Sequence, residues 1–117
     1  MNFTPEEDKI LYQGAALLGK YVGGHGTRWS MIKALLPERT DVTIKKRSIL
    51  LETKMKSEIT QFLISFESRY GGARREGTVK EIKAGPAFDL RYYLNWYNSK
   101  VSEDTVQPPT AQKYLKR

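Results

Sequence analysis

The fold of this chain is decided by residues 28–56, RWSMIKALLPERTDVTIKKRSILLETKMK. The stretch predicts two helices joined by a tight turn, because Pro37 stops the first and Thr40 or Asp41 can cap the second. A basic cluster, residues 45–47, lies near the start of the second helix. A short helix, a turn and a basic helix are typical of small domains that place side chains in a DNA groove.

A further helix is predicted ahead of this stretch, near residues 5–20. Thr4 and Glu7 have the spacing of a capping box, and apolar residues follow at helical intervals. Gly14 in the middle lowers helix propensity by about 1 kcal/mol relative to alanine, which indicates a close helix contact. Residues 22–27 read as a connector. A glycine-rich phosphate cradle is the weaker alternative, since the Gly-Lys-Ser/Thr ending of a P-loop is missing.

The second half of the chain predicts three more helices. Residues 57–70 carry an amphipathic stripe, either continuous with the preceding helix or after a brief break. A basic, glycine-containing linker is expected at 71–77, and TVKEIKA at 78–84 opens with another possible capping box. Residues 87–100 carry aromatic side chains around most of a helix circumference. Such a helix is either largely buried or has a partner.

Composition and charge narrow the classes of function. The 117 residues carry a net charge of +7 with a pI near 9.7, which favours nucleic acid as partner ahead of an anionic membrane. No apolar run approaches the ~20 residues of a membrane-spanning helix. The chain has no cysteine, which favours an intracellular setting, and a single histidine, His25. Neither a metal site nor a cofactor is therefore expected.

An enzyme is not expected either. Carboxylates cluster at residues 6–8 and 103–104. Helix capping explains the first group, and the second lies in a polar segment, so neither resembles acid–base machinery. No small-molecule substrate is indicated.

Residues 3–54 resemble a Myb/SANT repeat, a three-helix relative of the helix-turn-helix. The family opens with Trp-Thr-x-Glu-Glu-Asp-x-x-Leu, and here residues 3–11 read FTPEEDKIL. Its middle pattern, Arg-Trp-Ser-x-Ile, corresponds to RWSMI at 28–32. Its turn and recognition helix, Leu-Pro-x-Arg-Thr-Asp-x-x-Ile-Lys, correspond to LPERTDVTIK at 36–45. The three matches stand in the family's order.

Three positions depart from the family pattern. Phe3 replaces the first tryptophan, the loop before the second tryptophan is longer, and Ser48 stands where the third tryptophan falls. Ser48 would leave the core short of a large side chain. We expect the aromatic helix at 87–100 to fill that space; alternatively, the third helix rotates so that Ile49 or Leu51 fills it.

The resemblance implies an all-α fold, with a three-helix Myb/SANT-like bundle over residues 1–56. Residues 57–101 are expected to add helices that pack on or beside the bundle. Residues 102–117 are expected to form a flexible tail. The final residues, Lys116 and Arg117, form no helix stop, which is compatible with a piece of a longer protein.

The resemblance also implies a DNA-binding domain of a nuclear transcription or chromatin factor, with helix 3 in the major groove of double-stranded DNA. Carried over by position, the base-contacting side chains are Lys45, Lys46, Ile49 and Leu50. Thr40 and the helix N-termini would donate hydrogen bonds to phosphates. Five basic residues are expected to neutralise phosphates: Arg28, Lys33, Arg39, Arg47 and Lys54.

SANT domains share this fold and often bind histone tails or other proteins, so a protein-interaction module in a chromatin or transcription complex is the alternative. Its partner surface would include Tyr92, Tyr93, Trp96 and Tyr97. Single-stranded RNA stacked on the same aromatics is a weaker reading. The basic character of helix 3 favours DNA. Apolar Ile49 and Leu50 leave open whether the C-terminal helices cover it.

Overall fold

Residues 2–106 are described by the computed structural model, which contains five α-helices and one short 3-10 turn. The helices are α1 Pro5–Tyr21, α2 His25–Leu35, α3 Asp41–Lys54, α4 Lys56–Glu76 and α5 Leu90–Val106, and the 3-10 turn spans Gly85–Ala87. No strand occurs between residues 2 and 106. The expected all-α class with additional C-terminal helices is therefore confirmed.

The local start signals read from the sequence are present. In the capping box of α1, the Glu7 N–H donates to Thr4 Oγ1 at 3.1 Å and the Thr4 N–H donates to Glu7 Oε1 at 3.0 Å. The Thr40 hydroxyl caps α3 by accepting from the Thr43 N–H at 3.2 Å. Only Met55 separates α3 from α4, so of the two alternatives left open by the sequence, a continuous helix or a brief break, the brief break is observed.

The glycine-containing linker expected at 71–77 is instead the last part of α4. The helix runs through Gly71 and Gly72 to Glu76. It ends at Gly77, whose φ of 74° is the left-handed conformation that commonly terminates helices. Ala73 packs against the core, so tertiary contact offsets the low helix propensity of the two glycines.

The short helix expected at 78–84 is instead an extended segment. Three tyrosine hydroxyls bind its backbone: the Lys80 N–H donates to Tyr92 at 3.2 Å, the Ile82 N–H donates to Tyr70 at 2.9 Å, and Tyr93 donates to the Lys80 carbonyl at 3.0 Å. Val79 is buried. These tertiary hydrogen bonds satisfy backbone groups that a helix would otherwise pair internally, which explains why the capping-box signal failed here.

Helix α1 lies at the centre of the molecule and contacts the other four helices. A Cβ atom added at Gly14 would lie 3.5 Å from Leu90 Cδ2 and 4.0 Å from Leu94 Cδ1. Gly14 thus marks the close approach of α5 to α1, as its position in the sequence predicted. The most deeply buried side chains come from all five helices and form one core: Leu11, Leu17, Leu18, Ile32, Ile44, Leu51, Phe66 and Tyr93.

Ser48 is buried, but the aromatic helix does not fill the space beside it. A cavity of about 240 Å³ adjoins the serine, and α1 to α4 supply its lining: Tyr12, Ala15, Ala16, Gly19, Arg28, Ser48, Glu52 and Ile59. The expectation that residues 87–100 replace the missing tryptophan is therefore wrong. Helix α5 packs on α1 and contacts α4 through aromatic rings. Leu51 is buried, whereas Ile49 remains outside the core.

Candidate nucleic-acid interface

The outward face of α3 is not covered by the C-terminal helices. Residues 42, 46, 49 and 53 follow helical spacing on the side opposite the buried Ile44, Ser48 and Leu51. The exposed residues on and beside this line are Val42, Lys45, Lys46, Ile49, Leu50 and Thr53, and we call them the α3 outer face. None of these six residues is acidic, while Glu52, exposed on the same helix, follows three residues after Ile49. The third helix is therefore open to a partner.

Apolar exposure in the described residues is concentrated on this face. Val42 is 61% exposed, Ile49 66% and Leu50 49%. Among the side chains whose exposure the structure describes, Ile64 on α4 is the one other large hydrophobic residue as exposed. Sequence reasoning singled out Ile49 and Leu50 but missed Val42, although its spacing of four and seven residues from positions 46 and 49 indicates a shared face.

The lysines of this face are exposed and carry unneutralised charge. Neither Lys45 nor Lys46 forms a salt bridge within the described part of the chain, and the same holds for Lys54 near the end of α3. The Lys45 ammonium lies 6.0 Å from the centre of the Trp29 ring. A groove beside Lys46 is bordered by Asn2 and Phe3 from the N-terminal segment and by Val42, Thr43, Arg47 and Leu50 from α3.

Arg39 does not lie free on the surface, which corrects the expectation that it neutralises a phosphate. Its Nε donates to Glu7 Oε2 at 2.9 Å, and its Nη2 donates to Glu7 Oε1 at 2.6 Å and to the Asn2 carbonyl at 2.8 Å. The guanidinium also lies 4.3 Å from the centre of the Phe3 ring. Arg39 therefore fastens the turn between α2 and α3 to the start of α1.

Arg47 has an equivalent internal role. Its Nε and Nη2 donate to the two carboxylate oxygens of Asp8 at 2.8 and 2.7 Å. Its guanidinium lies 5.6 Å from the Phe3 ring centre. Paired hydrogen bonds of this kind define direction as well as distance. Arg47 thus orients α3 against α1 instead of projecting toward a ligand, and this too corrects the expectation from sequence.

Three other candidates occupy the edge of the interface. The Lys33 ammonium donates to the carbonyls of Pro37 (at 3.0 Å) and Arg39, so two of its three N–H donors close the turn before α3. Thr40 is exposed at the N-terminus of α3, where its hydroxyl is engaged in capping. Arg28 is half-buried, with its guanidinium 5.9 Å from the Trp29 ring centre.

The aromatic side chains expected on a partner surface are largely used inside the protein. Tyr93 and Tyr97 are 1% and 7% exposed. The Tyr97 hydroxyl donates to Ser65 Oγ at 2.9 Å, and burial raises the pKa of Tyr93 to about 12. Tyr92 and Trp96 are half-buried. The four rings close the core between α4, α5 and the extended segment, so they do not form an exposed patch.

Replacing Glu7 by glutamine is expected to remove an acid-sensitive part of the stability. The Arg39 side chain, and then the Thr4 N–H, lower the pKa of Glu7 from 4.5 to about 2 by hydrogen bonding. Because the native state holds this carboxylate ionised at lower pH than the unfolded chain does, its stabilisation is complete above about pH 4.5. It is lost as the pH falls toward about 2.

Thermal unfolding midpoints measured between neutral pH and about pH 2 check this prediction. The difference between the native chain and Glu7→Gln should be present at neutral pH and shrink toward the acid end. Glu6→Gln, which changes an exposed carboxylate in the same helical turn, is the matched control and should follow the native chain. A difference between native and Glu7→Gln proteins that does not change with pH would contradict the role given to the Glu7–Arg39 pair.

Among the side chains that the structure describes, no group of three or more histidine, cysteine, aspartate or glutamate residues is arranged to hold a metal ion. No helix between residues 2 and 106 combines the length and apolar character needed to cross a membrane.

Comparison with known proteins shows a similarity of the N-terminal part to one family. Residues 1–48 match the family model of the Myb-like DNA-binding domain, which confirms the resemblance drawn from the three sequence patterns. Domains of this family bind DNA, are in general not enzymes and are typically nuclear. The match ends within α3 and covers under half of the chain, so α4 and α5 lie outside it. Searches of curated proteins and of solved structures gave no match.

Proposed function

We propose that this chain binds double-stranded DNA within a nuclear transcription or chromatin factor, with α3 in the major groove. The observation that carries the proposal is the uncovered α3 outer face, where Lys45 and Lys46 occupy positions that contact bases in Myb repeats. The major groove of B-DNA is wide enough to admit an α-helix. An overall charge of +7 supports attraction to the duplex.

We propose different roles for the basic residues, according to the contacts that each forms within the protein. Lys45 and Lys46 are proposed to reach base edges, since a lysine can donate to guanine O6 and N7. Lys54 is proposed to contact a phosphate from the end of α3, whereas Arg28 lines the cavity beside Ser48. The remaining candidates, Lys33, Arg39 and Arg47, are engaged internally. We propose that they support binding indirectly, by holding α3 at a defined angle to α1.

Selection of bound sequences from a random duplex pool tests the proposal. A shared sequence should emerge, and the spacing of any half-sites would report how many copies bind. Affinity for a selected duplex should fall between about 50 and about 200 mM salt, because phosphate contacts release counterions. Failure to retain any duplex at the lower salt concentration would contradict DNA binding, and salt-independent binding would contradict the proposed phosphate contacts.

Lys46→Ala is expected to weaken binding to the selected duplex by about 1–3 kcal/mol and to relax sequence preference at one position. Lys54→Ala should weaken binding to all sequences alike and reduce the salt dependence, because a phosphate contact carries no sequence information. Titration of each variant with the selected duplex and a scrambled duplex separates the two effects. Lys100→Ala removes the same charge from an exposed position on α5 and should leave both affinities unchanged.

A protein-interaction module is the second candidate, and the apolar side chains of the α3 outer face favour it. Val42, Ile49 and Leu50 are exposed together, as apolar residues at protein interfaces often are. In this case the partner would bind α3 instead of the aromatic residues of α5. The absence of any duplex retained in the selection would favour this candidate.

A further inference from the structure

The apolar residues of the α3 outer face stand where a DNA-reading helix would usually carry hydrogen-bonding groups. Ile49 and Leu50 are 66% and 49% exposed, and the core is complete without them. Exposed apolar side chains grouped on one face generally mark a contact surface. Since neither side chain can donate or accept a hydrogen bond, any base contact that they make is apolar.

The major groove offers one apolar group to such residues. Among the four base pairs, only thymine presents a methyl group there, on its C5 atom. Other base edges present donors and acceptors, which would lose water without gaining a partner against isoleucine or leucine. Ile49 is β-branched and therefore stiff in a helix. It offers its methyl groups to the groove with little loss of side-chain freedom.

The spacing along α3 fits a combined contact of charge and methyl groups. Lys46 and Ile49 are three residues apart on the same face, about 4.5 Å along the helix axis. Base pairs stack about 3.4 Å apart. A lysine at one base pair and an isoleucine at a neighbouring one can therefore be accommodated together.

The charge around these residues favours DNA over an apolar protein surface as the occupant. Lys45 and Lys46 precede Ile49 by four and three residues and form no salt bridge with a described residue. With Glu52 as the acidic residue beside them, this side of α3 keeps a net positive charge. An apolar protein partner would have to bury or displace two ammonium groups, which is unfavourable without counter-charges. Duplex DNA supplies negative phosphates and thymine methyls within one groove.

We infer that Ile49 and Leu50 are specificity-determining residues that contact thymine methyl groups in the major groove. The preferred site would then contain thymines adjacent to the bases contacted by Lys45 and Lys46. This inference rests on the proposed DNA binding. It adds the chemical feature that the same face recognises.

The test uses the highest-affinity duplex recovered from the random pool and copies in which thymines are replaced one at a time by deoxyuridine. Deoxyuridine pairs like thymine but lacks the C5 methyl group. Replacement at one or two positions should weaken binding about fourfold per methyl group, because the burial of one apolar carbon in the complex is lost. Replacement of the remaining thymines should have little effect.

Variants of the full chain connect each methyl group to a side chain. In Ile49→Ala or Leu50→Ala, the thymine and deoxyuridine copies should bind equally at the position that the removed side chain contacts. Ile64→Ala, an equally exposed apolar residue on α4, should retain the native discrimination. Thermal unfolding of each variant verifies that the fold is intact.

The outcomes distinguish this inference from the proposed function. Equal binding of the thymine duplex and all deoxyuridine copies by the native chain would overturn methyl reading while leaving DNA binding in place. If neither Ile49→Ala nor Leu50→Ala abolished the difference between thymine and deoxyuridine at any position where the native chain shows it, the assignment to these residues would be overturned. Recovery of no duplex from the pool would overturn the proposed function itself.

Discussion

A chain that ends at Met55 is expected to show no cooperative unfolding transition, although it contains the whole of the Myb-like match. The reason is the position of α1, which packs against α4 and α5 as well as against α2 and α3. Truncation would expose the side of α1 that carries Gly14, which lies against Leu90 and Leu94. It would also leave the cavity beside Ser48 without its α4 wall.

Size adds to this effect. A domain of about 60 residues buries only about 60% of the surface that its unfolded chain exposes, so its stability is marginal. Here Ser48 replaces a large aromatic residue of the family, which removes further apolar burial. The contribution of α4 and α5 is therefore expected to decide whether the first three helices fold.

Circular dichroism of the 1–55 chain during heating and urea titration shows directly whether the first three helices unfold cooperatively without α4 and α5. A chain of residues 1–106 is the matched control, because it retains all five helices, and it should unfold at the midpoint of the full protein. A sharp transition of the 1–55 chain close to that midpoint would show that the C-terminal helices are an addition to an independent domain.

Phe66→Ala is expected to lower the free energy of unfolding by about 3–5 kcal/mol. Phe66 is fully buried and joins α4 to α1 and α5. Its ring lies 5.7 Å from that of Trp96 and 6.4 Å from those of Tyr93 and Tyr21, measured between centres. Truncation leaves a cavity and removes ring contacts that each contribute about 0.5–1.5 kcal/mol beyond burial.

Urea denaturation of the native and variant chains gives the difference in free energy. Ile64→Ala is the control on the same helix. Because Ile64 is 64% exposed, its loss should change stability by less than about 0.5 kcal/mol. A Phe66→Ala effect no larger than that of Ile64→Ala would contradict the central place of this ring in the core.

The features that the sequence predicted correctly depend on residues close to one another in the chain. Thr4 and Glu7 are three residues apart, and their capping box forms as expected. Thr40 begins α3 for the same local reason. The periodic stripe of α3 placed Ile44 and Leu51 inside, as the structure has them. Helix starts and faces follow from spacing, because the interacting groups lie within one or two turns.

The features that the sequence did not predict depend on contacts between residues that are far apart in the chain. The capping signal at residues 78–81 failed because Tyr70, Tyr92 and Tyr93 bind the backbone of that segment. The basic residues of the candidate site looked alike in sequence. Unlike Lys46, Arg39 and Arg47 have Glu7 and Asp8 of α1 within hydrogen-bonding distance.

By itself, the sequence determined an all-α chain, the similarity of its N-terminal part to the Myb-like DNA-binding domain, and a basic third helix. Helix-capping residues, hydrophobic periodicity and short sequence patterns predict these properties. Only the tertiary structure decided which face of α3 is open, and which of its cations are free. Packing α5 against α1 and α4 leaves the outer face of α3 in solvent. Arg39 and Arg47 form ion pairs with α1, so their charges are neutralised inside the protein. The sequence does not reveal this, because ion pairing depends on distances between residues that are far apart in the chain.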